Sequence, residues 1–249
     1  MGSLALSSSL VLPLLEQLIP GGIGYNTNLL VEFPSDSLWY ESSLTITAQA
    51  LKAGVQTEYH VFQHPPTDVR NALARLGLDV RKLEDADVLR VLDSYTVQTG
   101  VVSPDPAPTA RQFVSQSLKV SDWSISGMKA LKAGALETKK HGLHIDDNTL
   151  VLVRYNSEPA IVDFWRTRAI TSSRLEENVA MYSMLTGVTS DSFRSQFESL
   201  HDGIIDFKTD EKEGEIEQYV RVRILRGKGI NTRWRRISLL DKGEVTLGD

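Results

Sequence analysis

The fold is decided around residues 29–34, where the chain reads Leu29-Leu30-Val31-Glu32-Phe33-Pro34. A short apolar run that stops at a proline is typical of a buried strand, because proline cannot donate to a central ladder. Residues 42–52 follow with the apolar spacing of a helix, and Gly54 is a suitable C-cap. The stretch therefore predicts a buried strand that leads directly into a helix.

The same alternation continues along the chain. Residues 57–62 alternate as a second strand does, Thr67 is a suitable N-cap for a helix that Gly77 closes, and residues 88–92 form a third apolar run. This order of strands and helices predicts an α/β fold with a mostly parallel sheet. Beyond residues 101–108, which have the composition of a loop, strands are predicted over 149–153, 179–185 and 203–207, and helical segments over 113–141, 163–178 and 193–200.

The C-terminal part has a different pattern. After an acidic, turn-like stretch at 210–217, residues 219–226 alternate: Val220, Val222 and Ile224 share the inner face, and arginines occupy the other. A glycine turn at 227–229 separates this strand from a second one at 232–239, which predicts a β-hairpin with a basic outer face. We expect a single domain over 1–249, with a core of about 12–207 and a hairpin of about 218–247.

Composition excludes several classes of site. The 249 residues include no cysteine, which rules out disulfides, thiolate nucleophiles and cysteine-based zinc sites. A formal net charge of −5 disfavours a general nucleic-acid binder. The early apolar stretch lacks a basic leader and the length of a membrane span, so a cytoplasmic protein without a membrane partner is expected.

A phosphate-binding loop would be expected between the first strand and its helix. Such a loop needs glycines, so that backbone N–H groups face the phosphates, and it needs a lysine. Residues 32–41 contain neither, the first Lys or Arg of the chain is Lys52, and Glu32, Asp36 and Glu41 are anionic. A triphosphate at this position would meet repulsion.

Other candidate site residues have simpler interpretations. His60 and His64 surround a strand end and could ligate a metal, but satisfied surface histidines are the favoured interpretation, and His141 and His144 are treated alike. Asp93 could be a catalytic carboxylate, although a helix cap or turn is favoured. No serine lies in a nucleophile-elbow sequence.

The hairpin carries a cluster of cations around one tryptophan. Arginines beside an aromatic ring suit nucleic acid, or an acidic surface on the same chain or on another subunit, and the negative net charge favours a protein contact. The cluster consists of Arg221, Arg223, Arg226, Lys228, Arg233, Trp234, Arg235 and Arg236.

Three phrases of the sequence resemble the KaiC-like branch of the RecA-type ATPases. They are Leu18-Ile19-Pro20-Gly21-Gly22-Ile23 with the strand that follows it, Asp202-Gly203-Ile204-Ile205-Asp206-Phe207, and Tyr219 to Gly227 with Asn231-Thr232-Arg233-Trp234. The resemblance implies a RecA-like P-loop NTPase fold that assembles into rings with ATP bound between subunits. Among these phrases, the hairpin is the most specific.

The chain departs from that family where its ATP chemistry lies. The resemblance places the vestigial nucleotide site on Phe33, Pro34, Asp36, Leu38, Trp39, Tyr40, Gln63, His64 and Asn156. Gln63 and His64 stand where the family has its catalytic glutamates, and Asn156 stands for the magnesium-binding aspartate. Ile224 and Ile230 replace the lysine and histidine that would sense a neighbouring subunit's nucleotide.

These departures predict a KaiC-like pseudo-ATPase with no catalytic residues, no cofactor and no metal. We expect a regulatory or assembly subunit, a homo-oligomer or a hetero-oligomer with an active paralogue, whose contact surface includes Arg221, Arg223, Arg226, Arg233, Trp234 and Arg235. The alternative is a nucleic-acid-binding ring that resembles the Elongator accessory subunits. A nucleotide sensor without turnover is a third possibility.

Overall fold

The computed structural model describes residues 9–100, 113–115, 117–123 and 141–248. The strands in these ranges are β1 (Ser9–Leu10), β2 (Ile23–Gly24), β3 (Asn28–Phe33), β4 (Thr57–Val61), β5 (Leu89–Asp93), β6 (Phe113–Val114), β7 (Leu143–Asp146), β8 (Val179–Leu185), β9 (Gly203–Lys212), β10 (Glu215–Leu225), β11 (Arg235–Leu239) and β12 (Val245–Leu247).

The α-helices of the described ranges are α1 (Pro13–Leu18), α2 (Trp39–Lys52), α3 (Pro66–Arg75), α4 (Val80–Asp85), α5 (Thr96–Thr99), α6 (Glu158–Phe164), α7 (Ile170–Leu175) and α8 (Asp191–Ser199). Short 3-10 helices span Val120–Asp122 and Thr149–Arg154, and a π-helical turn at Trp165–Ala169 joins α6 to α7. No helix in this part of the chain combines the length and the apolar composition needed to cross a bilayer.

Ten strands form one sheet in the order β12-β11-β10-β9-β3-β8-β7-β4-β5-β6. The neighbours from β9 to β6 pair in parallel, and those from β12 to β9 pair antiparallel. The predicted α/β class, the mostly parallel sheet and the C-terminal hairpin are therefore confirmed. β3 lies between β9 and β8, which explains why its sequence is almost continuously apolar.

Helices cover both faces of this sheet because successive strand residues point to opposite sides. Leu29 and Val31 of β3 belong to one hydrophobic cluster, which α1 to α4 complete. Leu30 belongs to a second cluster, which includes side chains of α6, the π-helical turn and α8. The parallel strands are thus buried on both sides.

The predicted strand at 149–153 is wrong. The strand that enters the sheet here is β7, which lies between β8 and β4. Asn148 accepts a hydrogen bond from the backbone N–H of Leu150 (3.1 Å) and starts a 3-10 helix, in which Leu150 and Leu152 pack into the second cluster. A short apolar run is compatible with a buried strand or with a buried helical turn. Because β7 occupies the sheet position between β8 and β4, the apolar run that follows it forms the helical turn.

Strands β9 and β10 extend further than predicted, whereas β11 is shorter than the predicted strand over 232–239. The acidic stretch 210–217 is not a loop, because β9 runs to Lys212 and β10 starts at Glu215, with only a tight turn at Glu213 and Gly214 between them. β10 consequently pairs with β9 as well as with β11. A register shift between Val222 and Ile224 also leaves Ile224 46% exposed, although its alternation predicted an inward position.

Two further predictions need correction or lie outside the described residues. α3 begins at Pro66, so Thr67 is inside the helix and is not its N-cap. In the segment predicted as helical over 113–141, Phe113 and Val114 form strand β6 instead. The residues predicted as a loop, 101–108, and residues 124–140 of the predicted helical segment lie outside the described ranges.

His201, directly after α8, is a buried neutral histidine. Its Nδ1 donates to the carbonyl of Phe197 (2.8 Å), and its ring packs edge-on against Phe197 and Tyr182. Burial lowers the pKa of His201 to about 4. Between pH 6.5 and 4 the unfolded chain therefore binds a proton that the folded chain does not, and stability must fall as the pH is lowered.

We expect the His201→Gln variant to lose part of this acid sensitivity. The histidine contributes up to about 3 kcal/mol of pH-dependent stability across that window, since one pKa unit corresponds to about 1.4 kcal/mol. The measurement is urea unfolding of wild type and variant at pH 7, 5.5 and 4.5, compared as a difference. Parallel curves for the two proteins would show that His201 does not titrate as described.

Candidate functional site

The site that the sequence singled out lies at the carboxyl ends of the parallel strands. In open α/β sheets ligands bind at this edge, beyond the strand ends. β3 ends at Phe33, β4 at Val61 and β7 at Asp146, and the loops that follow these strands form the edge. The described residues there show what occupies the position of a phosphate loop.

Trp39, the first residue of α2, fills the space behind the loop that follows β3. Its side chain is only 2% exposed, and its Nε1 donates to the backbone carbonyl of Asp147 (3.1 Å). The indole ring packs against Phe33 and edge-on against Phe207, with centroids 6.2 and 5.7 Å apart. Trp39 and Phe33 are therefore core residues of this chain.

The loop between β3 and α2 is a closed turn. The backbone N–H of Ser37 donates to the carbonyl of Pro34 (3.1 Å), and Gln218 of β10 donates through Nε2 to the carbonyl of Asp36 (2.7 Å). None of residues 34–38 has the left-handed backbone conformation that glycines supply, and Leu38 packs against the core. The loop is thus tied to the hairpin and does not form an open cradle of N–H groups.

Asp147 organises the other predicted site residues. One or both of its carboxylate oxygens accept hydrogen bonds from the backbone N–H groups of Phe62 (2.7 Å), Gln63 and His64. The ring of His64 also contacts Asp147 (3.1 Å) and stacks on Tyr40 at a centroid distance of 3.8 Å. The structure therefore brings Tyr40, Gln63 and His64 together around a buried carboxylate.

Sequence reasoning missed Asp147 because it placed the strand several residues too late. The available signal was the acidic pair Asp146-Asp147, which directly follows the alternating residues Leu143-His144-Ile145. The neighbouring Asn148 donates to the side chain of Gln63 (2.8 Å) and ties the β7 and β4 loops together.

Asn156 does not lie at a strand end. Its side chain accepts from the backbone N–H of Val120 (2.9 Å) and donates to the carbonyls of Leu118 and Leu152. These bonds hold the two 3-10 helical segments together, and the strand-end position falls to β7 and its Asp146. Asp93 accepts from the N–H of Thr96 (2.8 Å) at the start of α5, which confirms the interpretation as a cap.

A second polar cluster lies on neighbouring strands β4 and β7. His144 Nε2 lies 2.8 Å from Asp146 Oδ1, and His60 Nδ1 lies 3.4 Å from the same oxygen. Glu58 contacts the other ring nitrogen of His144 (3.2 Å), and Ser94 contacts that of His60 (2.7 Å). The side chains of His60 and His144 are 12% and 14% exposed, so the expectation of surface histidines is wrong for both.

Charge determines the protonation of this cluster. Burial by itself would lower the pKa of His144, but the carboxylates of Asp146 and Glu58 outweigh it and raise that pKa to about 9. Burial likewise raises the pKa of Asp146, and the histidines overcome it and hold the pKa at about 2. The cluster therefore requires positive charge between its carboxylates.

Most hairpin arginines are paired within the chain. Arg223 lies 2.6 Å from Glu32 and 3.2 Å from Asp206, and Glu32 also receives Arg194 (2.9 Å). Arg221 pairs with Asp206 (2.8 Å), and its guanidinium lies 4.4 Å from the ring centre of Trp234. Glu32 is consequently neutralised and only 2% exposed, so it does not repel a ligand as the sequence had indicated.

The remaining cations of the hairpin are more accessible. Arg235 donates to the carbonyls of Gly248 (3.1 Å) and Gln17, whereas Arg226 is exposed and donates only to the carbonyl of Ser199 (3.1 Å). Arg233 is exposed, and within the described ranges its guanidinium has no partner. Arg226 and Arg233 are thus the members of the predicted contact surface that are left for another molecule.

Comparison with known proteins gives a fold but no sequence family. No family model matches the chain, and no curated protein matches it. Among solved structures, a KaiC-like protein from the hyperthermophilic archaeon Pyrococcus horikoshii OT3 superimposes with a TM-score of 0.70. The alignment covers 98% of this chain and 99% of the archaeal chain, at 14% sequence identity. The chain therefore has the fold of a KaiC-like protein.

Proposed function

We propose that this protein is a non-catalytic KaiC-like subunit that acts through protein contacts and has lost ATP binding and hydrolysis. The observation that carries the proposal is the burial of Trp39 at the start of α2, where the family resemblance places the phosphate loop. Phosphoryl transfer depends on positioning and charge neutralisation, and both come from such a loop. Here the loop is closed and the space behind it is core.

The electrostatic field at this edge also opposes a polyphosphate. Burial raises the pKa of Tyr40, and the negative charges of Asp68, Asp147 and Glu41 raise it further. Burial and nearby carboxylates make a negative charge on the Tyr40 oxygen unfavourable. They make a negatively charged phosphate group at the same position unfavourable as well. Arg75 is the described cation that opposes this field, and its effect is the smallest of those acting on Tyr40.

We expect no binding of Mg-ATP or Mg-ADP. A ligand at one hundred times its Kd would stabilise the folded chain by about 2.7 kcal/mol, so binding of even moderate affinity would raise the unfolding temperature. The measurements are calorimetric titration and thermal unfolding with each nucleotide up to millimolar concentration. Micromolar binding by calorimetry would contradict the proposal.

The Trp39→Ala variant tests whether Trp39 is core or an obstruction. As a core residue, it should cost about 3–5 kcal/mol of stability when truncated, and nucleotide binding should remain absent. The Trp39→Phe variant is the matched control, because it keeps an aromatic ring in the core and loses the N–H to the Asp147 carbonyl together with part of the ring volume. If the Trp39→Ala variant were fully stable and bound ATP, the Trp39 side chain would be obstructing a nucleotide site that is otherwise intact. That result would contradict the proposal.

The aromatic residues at the sheet edge are not available for a protein contact. Phe33 and Trp39 are buried in their own chain, and Leu38 and Tyr40 pack against the same core, so these residues do not form an intersubunit patch. Exposed apolar side chains instead occur along the C-terminal strands, at Ile216, Ile224, Leu239 and Leu240. Ile224 and Arg226 at the end of β10, with Arg233 just before β11, support a mixed apolar and basic contact surface for an acidic partner or a second subunit.

Reversal of the charge at Arg226 and Arg233 tests this surface. We expect the wild type to self-associate without nucleotide and the Arg226→Glu/Arg233→Glu variant to associate more slowly, most clearly at low salt. Light scattering across protein concentrations and salt concentrations measures the effect. Arg221 and Arg223 are unsuitable for this test. A glutamate at either position would lie beside Asp206 or the buried Glu32, and the repulsion would destabilise the folded chain.

The matched control is Arg154→Glu/Arg166→Glu, which reverses two exposed arginines outside the hairpin. It should leave association unchanged, since the net charge changes equally but the contact surface does not. A wild type that stays monomeric at all concentrations would contradict the assembly role. Loss of RNA binding in the hairpin variant, with assembly retained, would instead establish the nucleic-acid alternative.

A further inference from the structure

We propose that His60, His144 and Asp146 form a binding site for a divalent transition-metal ion, with Zn²⁺ as the ion that their donor atoms suit. The site adjoins the sheet edge described above through Asp146, the last residue of β7, and it does not involve the hairpin surface. Imidazole nitrogens with one carboxylate oxygen are typical ligands of zinc and of neighbouring first-row metals. Three protein ligands leave a coordination position for water or another molecule.

The donor atoms already lie close to the spacing that a metal requires. One donor atom from each of His60, His144 and Asp146 lies within 4.8 Å of the other two. Zinc–ligand bonds of about 2.0–2.2 Å at tetrahedral angles place neighbouring donors about 3.3–3.5 Å apart. The contact of His60 with Asp146, at 3.4 Å, has this spacing, and that of His144 with Asp146, at 2.8 Å, needs to open by roughly half an ångström.

The outer contacts hold both rings in the orientation that a ligand needs. A metal-binding histidine normally engages its second ring nitrogen with a carboxylate, a carbonyl or a hydroxyl. Glu58 Oε2 performs this role for His144 (3.2 Å), and the hydroxyl of Ser94 performs it for His60 (2.7 Å). Ser94 is itself held by Ser115 (2.7 Å), so neither ring is free to turn away.

The charge of the cluster favours a dication. The carboxylates of Glu58 and Asp146 contact the ring of His144 directly, and Asp146 also contacts that of His60. A divalent cation at this position is attracted by the carboxylates that lie around it.

The surroundings are aromatic but not sealed among the described residues. Phe62 and Trp123 lie 4.1 and 6.0 Å from the ring centre of His60, and Tyr182 lies 5.8 Å from that of His144. Such a shell lowers the local dielectric and strengthens metal–ligand attraction. Both histidine side chains keep a small exposed fraction, of 12% for His60 and 14% for His144.

The first test is a titration of the full chain with Zn²⁺ after dialysis against a chelator. We expect calorimetry to show one ion per chain with micromolar or tighter affinity, and Co²⁺ to develop visible absorption as it enters the same site. The His60→Gln and His144→Gln variants should each weaken binding at least 100-fold. The Glu58→Gln variant, which removes the carboxylate that orients His144 and pairs with Arg90, should weaken it about 10- to 100-fold.

His64→Gln is the matched control, because His64 pairs with Asp147 and contributes no donor to the cluster. It should bind Zn²⁺ as the wild type does. Absence of stoichiometric binding by the wild type would overturn the proposal, and so would undiminished binding by His60→Gln and His144→Gln. Either result would leave the proposed pseudo-ATPase function unaffected.

A measurement on the wild type keeps the test decisive if a variant fails to fold. The chain has five histidines, so imidazole ¹⁵N resonances can be assigned individually. Zn²⁺ should shift the ring signals of His60 and His144 and leave those of His64, His141 and His201 in place. Shifts confined to the latter three would place the ion elsewhere and refute the site.

Discussion

The rest of this site depends on the hydrogen bond that the indole N–H of Trp39 donates to the backbone carbonyl of Asp147. It fixes the start of α2 against the loop after β7, and Asp147 in turn accepts the N–H groups that begin the loop after β4. Three strand ends are thus locked by one buried ring and one buried carboxylate. An edge built in this way is part of the core, and it cannot open around a ligand without the loss of that packing.

The two faces of the sheet are stabilised in different ways. The face covered by α1 to α4 is apolar, whereas the opposite face carries two buried charge networks, one around Glu32 and one around Asp146. Buried ion pairs contribute little net stability, but the removal of one partner leaves a costly unpaired charge. The networks therefore restrict which substitutions the sheet tolerates. They also explain why the hairpin arginines cannot all serve an outside partner.

The network around Asp146 differs from the one around Glu32 in its chemistry. Glu32 is paired with guanidinium groups, which carry a permanent charge and bind no metal. Asp146 is paired with imidazoles, which exchange a proton for a metal ion. Two similar-looking buried clusters on one face can therefore have different roles, one as a structural anchor and one as a candidate binding site.

The sequence by itself determined the α/β class, the order of the main strands and helices, and the absence of a glycine-rich phosphate loop, because apolar periodicity and residue identity are local properties. It also identified Tyr40, Gln63 and His64 as neighbours of one position. Only the tertiary structure decided that residues 149–154 are helical, that the hairpin arginines face buried carboxylates, and that His60 meets His144. These outcomes depend on which strands lie side by side, and strand order is set by packing across the whole sheet and not by any local pattern.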